Sequence, residues 1–113
     1  MTPEQIVQKN LDFYNQRNIK GFVSCLSNEI KVFELSESNP SVEGLSNVKQ
    51  MYGELFKNSP ELHSTILMRI VIGNKVIDHE SIVGRNGMSE ILELVLIYEV
   101  EKDKINKITV IRN

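Results

Sequence analysis

The side chains in this sequence that could do chemistry gather at Asp78-His79-Glu80 and at its three tyrosines, Tyr14, Tyr52 and Tyr98. An imidazole gives or takes a proton near neutral pH. Successive residues of a strand point to opposite faces, so the acidic-His-acidic triplet splits. His79 shares one face with Ile66, Met68, Ile70, Ile72, Ile77 and Val83, and that face reads as inward. Asp78 and Glu80 share the other with Leu67, Arg69, Val71, Val76 and Ile82, which reads as the outer surface. Asp78 stands opposite Arg69 there, a cross-strand pair worth ~0.2–1 kcal/mol. His79 reads either as a pocket acid, base or hydrogen-bond donor, or as a core histidine satisfied by a backbone carbonyl or by Tyr14 or Tyr52. The tyrosines read as inward, either lining a pocket with their hydroxyls toward a ligand or as plain core aromatics. Met51 and Met68 are adaptable wall or core residues. Cys25 reads as a small buried apolar residue with no base beside it. His63, His79 and Cys25 lack metal-ligand spacing, so neither a metal nor a cofactor is expected.

The elements that must hold these residues can be read from periodicity. The Gly73-Asn74 pair between two β-rich runs is a hairpin signal. It sets Ile72 against Lys75, Ile70 against Ile77, Arg69 against Asp78 and Met68 against His79. Thr2-Pro3-Glu4 opens a first helix whose apolar stripe is Ile6, Val7, Leu11, Phe13 and Tyr14. Asn18 caps a second short helix over 19–26. Residues 29–35 alternate as a strand, with Ile30, Val32 and Glu34 on one face. A loop follows over 36–44. A third helix over about 46–57 turns Val48, Met51, Tyr52, Leu55 and Phe56 inward. After Pro60 the period is two throughout. Strands are expected over 90–100 and 104–112, the first with an apolar face of Leu92, Leu94, Leu96, Tyr98 and Val100. Helices first and a strand meander afterwards describe an α+β layer fold with helices on one sheet face. The mixed outer face, with Val95 and Ile97 beside Glu93 and Glu99, suits a dimer interface.

Composition limits the function classes. The chain has 113 residues, 41% hydrophobic and 25% charged, with net charge −2 and one cysteine. These are values of one globular domain spanning 1–113. No basic stripe interleaved with aromatics marks a nucleic-acid partner. No apolar run approaches the ~18 residues of a membrane span, so no membrane partner is expected. Without a signal-peptide pattern or a possible internal disulfide, the expected location is the cytoplasm.

The order and spacing of several segments resemble the nuclear transport factor 2-like superfamily, with the nearest likeness to SnoaL-like proteins and ketosteroid isomerase. The segments are Phe13-Tyr14-Asn15-Gln16-Arg17-Asn18, Val32-Phe33-Glu34, Gly44, Val76-Ile77-Asp78-His79-Glu80 and Ile97-Tyr98-Glu99-Val100. The resemblance implies a cystatin-like cone, a curved antiparallel sheet of four to six strands wrapped around the N-terminal helices. It also implies an apolar pocket and a homodimer through the outer sheet face. Ketosteroid isomerase pairs a carboxylate base with a tyrosine and a neutral carboxylic acid that stabilise an oxyanion. Carried over, the base position falls on Glu34, the tyrosine on Asn10 and the acid on Leu96. Leu96 can donate nothing, and losing one such donor costs roughly 100-fold or more in rate. The candidate catalytic residues are therefore Glu34 and His79. The candidate ligand contacts are Asn10, Tyr14, Val32, Tyr52, Phe56, Met68, Leu96 and Tyr98. Two functions follow: a cofactor-free isomerase, cyclase or lyase moving a proton on a small apolar carbonyl compound, or a non-catalytic ligand-binding or dimerisation domain.

Overall fold

Thr2 starts the first helix as expected. Its hydroxyl accepts from the Gln5 amide at 3.1 Å, and the Gln5 side chain accepts from the Thr2 amide at 2.9 Å. This capping box satisfies two otherwise unpaired donors of α1 (Pro3–Asn15). The computed structural model describes residues 1–112. Asn18 caps α2 (Ile19–Ser24) by accepting from the Gly21 amide at 2.9 Å. Then come β1 (Leu26–Glu34), a two-residue β2 (Val42–Glu43) inside the expected loop, and α3 (Leu45–Lys57). The rest is β3 (His63–Ile72), β4 (Lys75–Val83), a 3-10 turn over Arg85–Gly87, β5 (Leu92–Glu101) and β6 (Lys104–Ile111).

The six strands form one open sheet in the order β2-β1-β6-β5-β4-β3. All neighbours are antiparallel except β1 and β6, which run parallel because the chain passes through α3 and the meander before returning to β1. Register shifts interrupt three ladders, between Leu26 and Lys31, Ile66 and Met68, and Glu99 and Val100. Such shifts bend strands and raise their twist, and the sheet curves around the helices. Its concave side carries Ile30, Val32, Val76, Ile82, Leu94, Tyr98, Val100, Ile108 and Val110, packed against Ile6, Val7, Tyr14, Phe22, Val48 and Phe56.

The β3–β4 hairpin has the register expected from Gly73-Asn74, including Met68 opposite His79 and Arg69 opposite Asp78. Its faces are reversed. Val76, Asp78, Glu80 and Ile82 are at most 2% exposed, while Met68 is 61%, Ile70 50% and Ile72 65% exposed. Asp78 and Glu80 are therefore inner residues, not outward charges, and His79 and Met68 lie on the convex side. The bulge at Leu67 also moves Ile66 from the Met68 side to a place opposite Glu80.

Burying Asp78 is possible because Arg69 grips it with two bonds, Nε at 2.6 Å and Nη2 at 2.9 Å. The same guanidinium donates to Gln8 of α1 at 2.9 Å and lies 3.8 Å from Glu4. One ion pair thus ties the first helix to the far end of the sheet. Losing one partner leaves an uncompensated buried charge. Arg69→Met and Asp78→Leu should each lower the unfolding free energy by about 3–5 kcal/mol, while the double variant recovers most of that loss. Chemical denaturation of the three variants measures this, and losses that simply add in the double variant would refute the coupling.

Candidate functional site

A cavity of about 100 Å³ opens between the concave sheet face and all three helices. Its wall takes Asn10, Leu11 and Tyr14 from α1, Phe22 from α2, and Met51 and Tyr52 from α3. The sheet contributes Val32, Glu34, Glu80, Ile82, Leu94, Leu96, Tyr98, Ile108 and Val110, and Ser41, Arg85 and Arg112 complete it. A wider depression of about 790 Å³ near α2 and the β5–β6 turn is lined by Lys20, Glu101, Lys102 and Lys104, all solvated side chains. The smaller cavity is where buried polar groups converge on apolar walls, the usual build of a ligand site.

Glu80 is its most unusual group. Ser64 Oγ donates to one carboxyl oxygen at 2.6 Å, and Tyr98 Oη reaches the other at 3.4 Å. Burial pushes the Glu80 pKa up from 4.5 to about 7. Asp78 on the same face pushes the same way, while the Ser64 and Tyr98 bonds and Arg69 oppose it. Asp78, two residues away, has its charge met by Arg69 instead. The same concave face therefore holds one paired carboxylate and one carboxyl that titrates near neutrality, where proton transfer is most effective.

Tyr14 and Tyr52 are held by aromatic contacts. Tyr14 meets Phe56 edge-on at 5.5 Å, Phe22 meets Phe56 edge-on at 5.5 Å, and Tyr52 lies 4.5 Å from Phe22. Each such pair adds about 0.5–1.5 kcal/mol and fixes ring orientation. Burial raises the pKa of all three phenols, and Glu80 adds to the rise at each. They remain protonated donors. Neither Tyr14 nor Tyr52 bonds to another described residue through its hydroxyl, and among the described residues no fully buried polar side-chain atom lacks a partner. Those two hydroxyls therefore face the cavity space.

Of the residues expected at a site, the cavity gathers Asn10, Tyr14, Val32, Glu34, Tyr52, Leu96 and Tyr98. Asn10 is buried, and its amide nitrogen donates to the Phe22 carbonyl at 2.9 Å. Glu34 sits at the rim with both oxygens taken by Arg112, at 2.6 and 2.9 Å. Phe56 is buried behind the wall as a support for Tyr14 and Phe22. Met68 and His79 are on the opposite side of the sheet, because β4 pairs Asp78 with Leu96 and Glu80 with Leu94. His79 instead bonds Glu93 on the convex face at 2.5 Å. The wall residues that were not among those expected include Glu80, Ser41, Ile82, Arg85 and Arg112, besides apolar side chains such as Leu94, Ile108 and Val110. Among the described residues, no three His, Cys, Asp or Glu side chains converge as a metal site. No described helix is long and apolar enough to cross a membrane.

The family model described as a SnoaL-like domain matches residues 7–108. This chain belongs to the SnoaL-like domain family. Solved structures similar to this SnoaL-like domain share its fold at low identity. A cystatin-fold protein from Novosphingobium aromaticivorans is 19% identical with a TM-score of 0.89, over 99% of each chain. A protein from Kribbella flavida, provisionally named a ketosteroid isomerase, is 15% identical with a TM-score of 0.83, over 98% of this chain and 77% of its own. A protein from Jannaschia sp. CCS1, provisionally named a SnoaL-like polyketide cyclase, is 14% identical with a TM-score of 0.79, over 96% and 83%. No curated protein matches the chain.

The protonation of Glu80 is linked to stability. In the unfolded chain the group ionises near 4.5, and in the folded SnoaL-like domain near 7. Its raised pKa stabilises the fold fully below 4.5, and that contribution is lost as pH rises through about 7. The loss is on the order of 3 kcal/mol. Glu80→Gln should match the parent near pH 4 and be more stable at pH 8, as read by denaturant midpoints across pH. Parallel profiles for the two proteins would contradict a Glu80 that titrates near neutrality.

Proposed function

We propose that this domain binds a small apolar carbonyl compound in the cavity and moves a proton on it without a cofactor, with Glu80 as the base. The observation that carries the reading is the buried Glu80 carboxyl, poised near pH 7 beside tyrosine hydroxyls. In its ionised form Glu80 takes a proton from a carbon next to the carbonyl, and the electron pair of that C–H bond delocalises onto the carbonyl oxygen. Tyr14 and Tyr52 donate to that oxygen, supplying the stabilisation that a developing enolate needs. Returning the proton to a different carbon completes an isomerisation. Attack of the same enolate carbon on a second carbonyl of the same molecule, whose π electrons move to its oxygen and take back the proton held by Glu80, would be an aldol-type cyclisation. The provisional names of the Kribbella and Jannaschia proteins are in keeping with both outcomes. Glu34 is the less available group, since both of its oxygens are engaged by Arg112.

The test is deuterium exchange beside the carbonyl of cyclohexanone and 2-cyclohexenone, followed by NMR in heavy water. Exchange should exceed the buffer rate and fall at least 100-fold in Glu80→Gln, since a positioned base contributes roughly 100- to 10,000-fold. Tyr52→Phe should slow it less, and Glu34→Gln least. Exchange that survives Glu80→Gln removes Glu80 from the role. Cavity binding of the ketones with no exchange at all would favour a non-catalytic binding domain. That second reading draws on Leu96, an apolar side chain where the resemblance places an oxyanion acid.

We also propose a homodimer through the convex sheet face. Met68, Ile70 and Ile72 are exposed there, and Val95 and Ile97 are half-buried beside them. Contiguous apolar surface of this kind is costly in water and marks association sites. Light scattering should report a mass of two chains, and Ile70→Lys should shift it to one. A monomeric parent protein rules the dimer out.

A further inference from the structure

The cavity wall contains a guanidinium that no carboxylate of the described residues neutralises. Arg112 is spent on Glu34, and Arg69 on Asp78. Arg85 lines the cavity half-buried, and among the described residues it pairs with no carboxylate. Its backbone is held in place from both ends. Gly84 has φ of +77°, and a Cβ there would lie 2.3 Å from the Glu61 carbonyl oxygen. The Asn86 amide donates to Ser59 Oγ at 2.8 Å, and the Gly87 amide to the Gly84 carbonyl at 3.2 Å. Only glycine fits the first of these positions, so the turn that carries Arg85 is built rather than incidental.

Two further donors share this space. The Tyr14 and Tyr52 hydroxyls face the cavity without a described protein acceptor. The Arg85 charge acts on both, opposing the rise in their pKa that burial causes. A cation on an anchored turn and two uncommitted hydroxyls therefore border the same space, and a ligand entering it meets three donors with no described protein acceptor. Leu94, Leu96, Ile108 and Val110 supply an apolar wall.

We propose that the ligand is a small monocarboxylate, its carboxylate paired with Arg85 and its apolar body lying against the leucine wall. This rests on the cavity being the ligand site, and it narrows the carbonyl compound to one that carries an acid group. A carboxylate matches the guanidinium fork with two parallel bonds, which a neutral carbonyl does not. Size sets the other limit. A dry cavity of about 150 Å³ holds benzene, and this one, at about 100 Å³, encloses less, so a ligand of that bulk buries part of its ring and leaves its charged end projecting beside half-buried Arg85.

Benzoate and benzamide are matched probes, nearly equal in shape and different in charge. Titrations would follow the methyl NMR signals of Leu94, Leu96 and Val110. Benzoate should bind roughly tenfold or more tightly than benzamide, as a charge-assisted bidentate bond exceeds a neutral one. Arg85→Gln should erase most of that preference, and Arg85→Lys should keep part of it. Equal affinities in the parent protein, or a benzoate preference unchanged in Arg85→Gln, would overturn the carboxylate inference while benzamide shifts left the cavity reading standing. Methyl signals that respond to neither probe at millimolar concentration would overturn both. The parent comparison decides the matter even if a variant fails to fold.

Discussion

Asp78 and Glu80 share the concave face of β4 two residues apart, and both are out of water. A lone buried carboxylate is expensive, so each must be paired or become neutral. The fold uses one solution for each. Asp78 stays paired because Arg69 of β3 meets it with a two-pronged grip. Glu80 receives hydroxyls only, and its ionisation moves toward neutral pH. The ordering of α1 against β3 depends on the first solution, and the chemistry available to the cavity depends on the second.

The two solutions are connected through geometry. Arg69 reaches Gln8 and Glu4 while it holds Asp78, so α1 is fixed at the strand pair that carries Glu80. At the far end of α1, Asn15 clamps Ser64, accepting from its amide at 2.8 Å and donating to its carbonyl at 3.0 Å. Ser64 is also the residue whose hydroxyl holds Glu80. The helix that presents Tyr14 is therefore bonded to the strand that presents the partner of the acid. A displacement of α1 would move a donor and a carboxyl together, and preorganisation of both is what proton transfer requires.

Much of the fold was legible because it is written in short-range signals. The Thr2 cap, the Gly73-Asn74 turn and the alternation of β5 act within a few residues, and each is present where expected. The facing of β4 was not legible from its own pattern. Each face of β4 has two apolar side chains, Ile77 and Val83 outside and Val76 and Ile82 inside, and the inner face also carries two acids, so adding Met68, Ile70 and Ile72 of β3 tips the hydrophobic count to the wrong side. A signal did exist in the second hairpin. The wholly apolar face of β5 has to be inward, and β4 pairs with it so that Glu80 meets Leu94 and Asp78 meets Leu96. Directly opposed residues share a face, which forces both acids inward and His79 outward. Arg85 left no such trace, because its position depends on a turn anchored by Ser59 and Glu61, distant in sequence.

The departure at Leu96 takes on a different meaning beside that register. The resemblance to ketosteroid isomerase puts a neutral carboxylic acid on β5, and this chain has leucine there. Cross-strand neighbours on one face lie about 4.5–5.5 Å apart. Replacing an acid on β5 by leucine and placing carboxyls opposite Leu94 and Leu96 on β4 keeps an acidic group in the same layer of the cavity, supplied from the next strand. Of the two, Asp78 is held by Arg69, so Glu80 is the one free to change protonation state. A side chain on β4 approaches the cavity from the edge nearer Arg85 rather than from the centre of the sheet, since Gly84 and the turn follow directly from that strand. On the proposed reading, the acid and the anion-binding group then come from one short stretch of chain, 80–85. Their backbone positions are set by strand and turn geometry, whereas the tyrosine donors depend on how the helices dock.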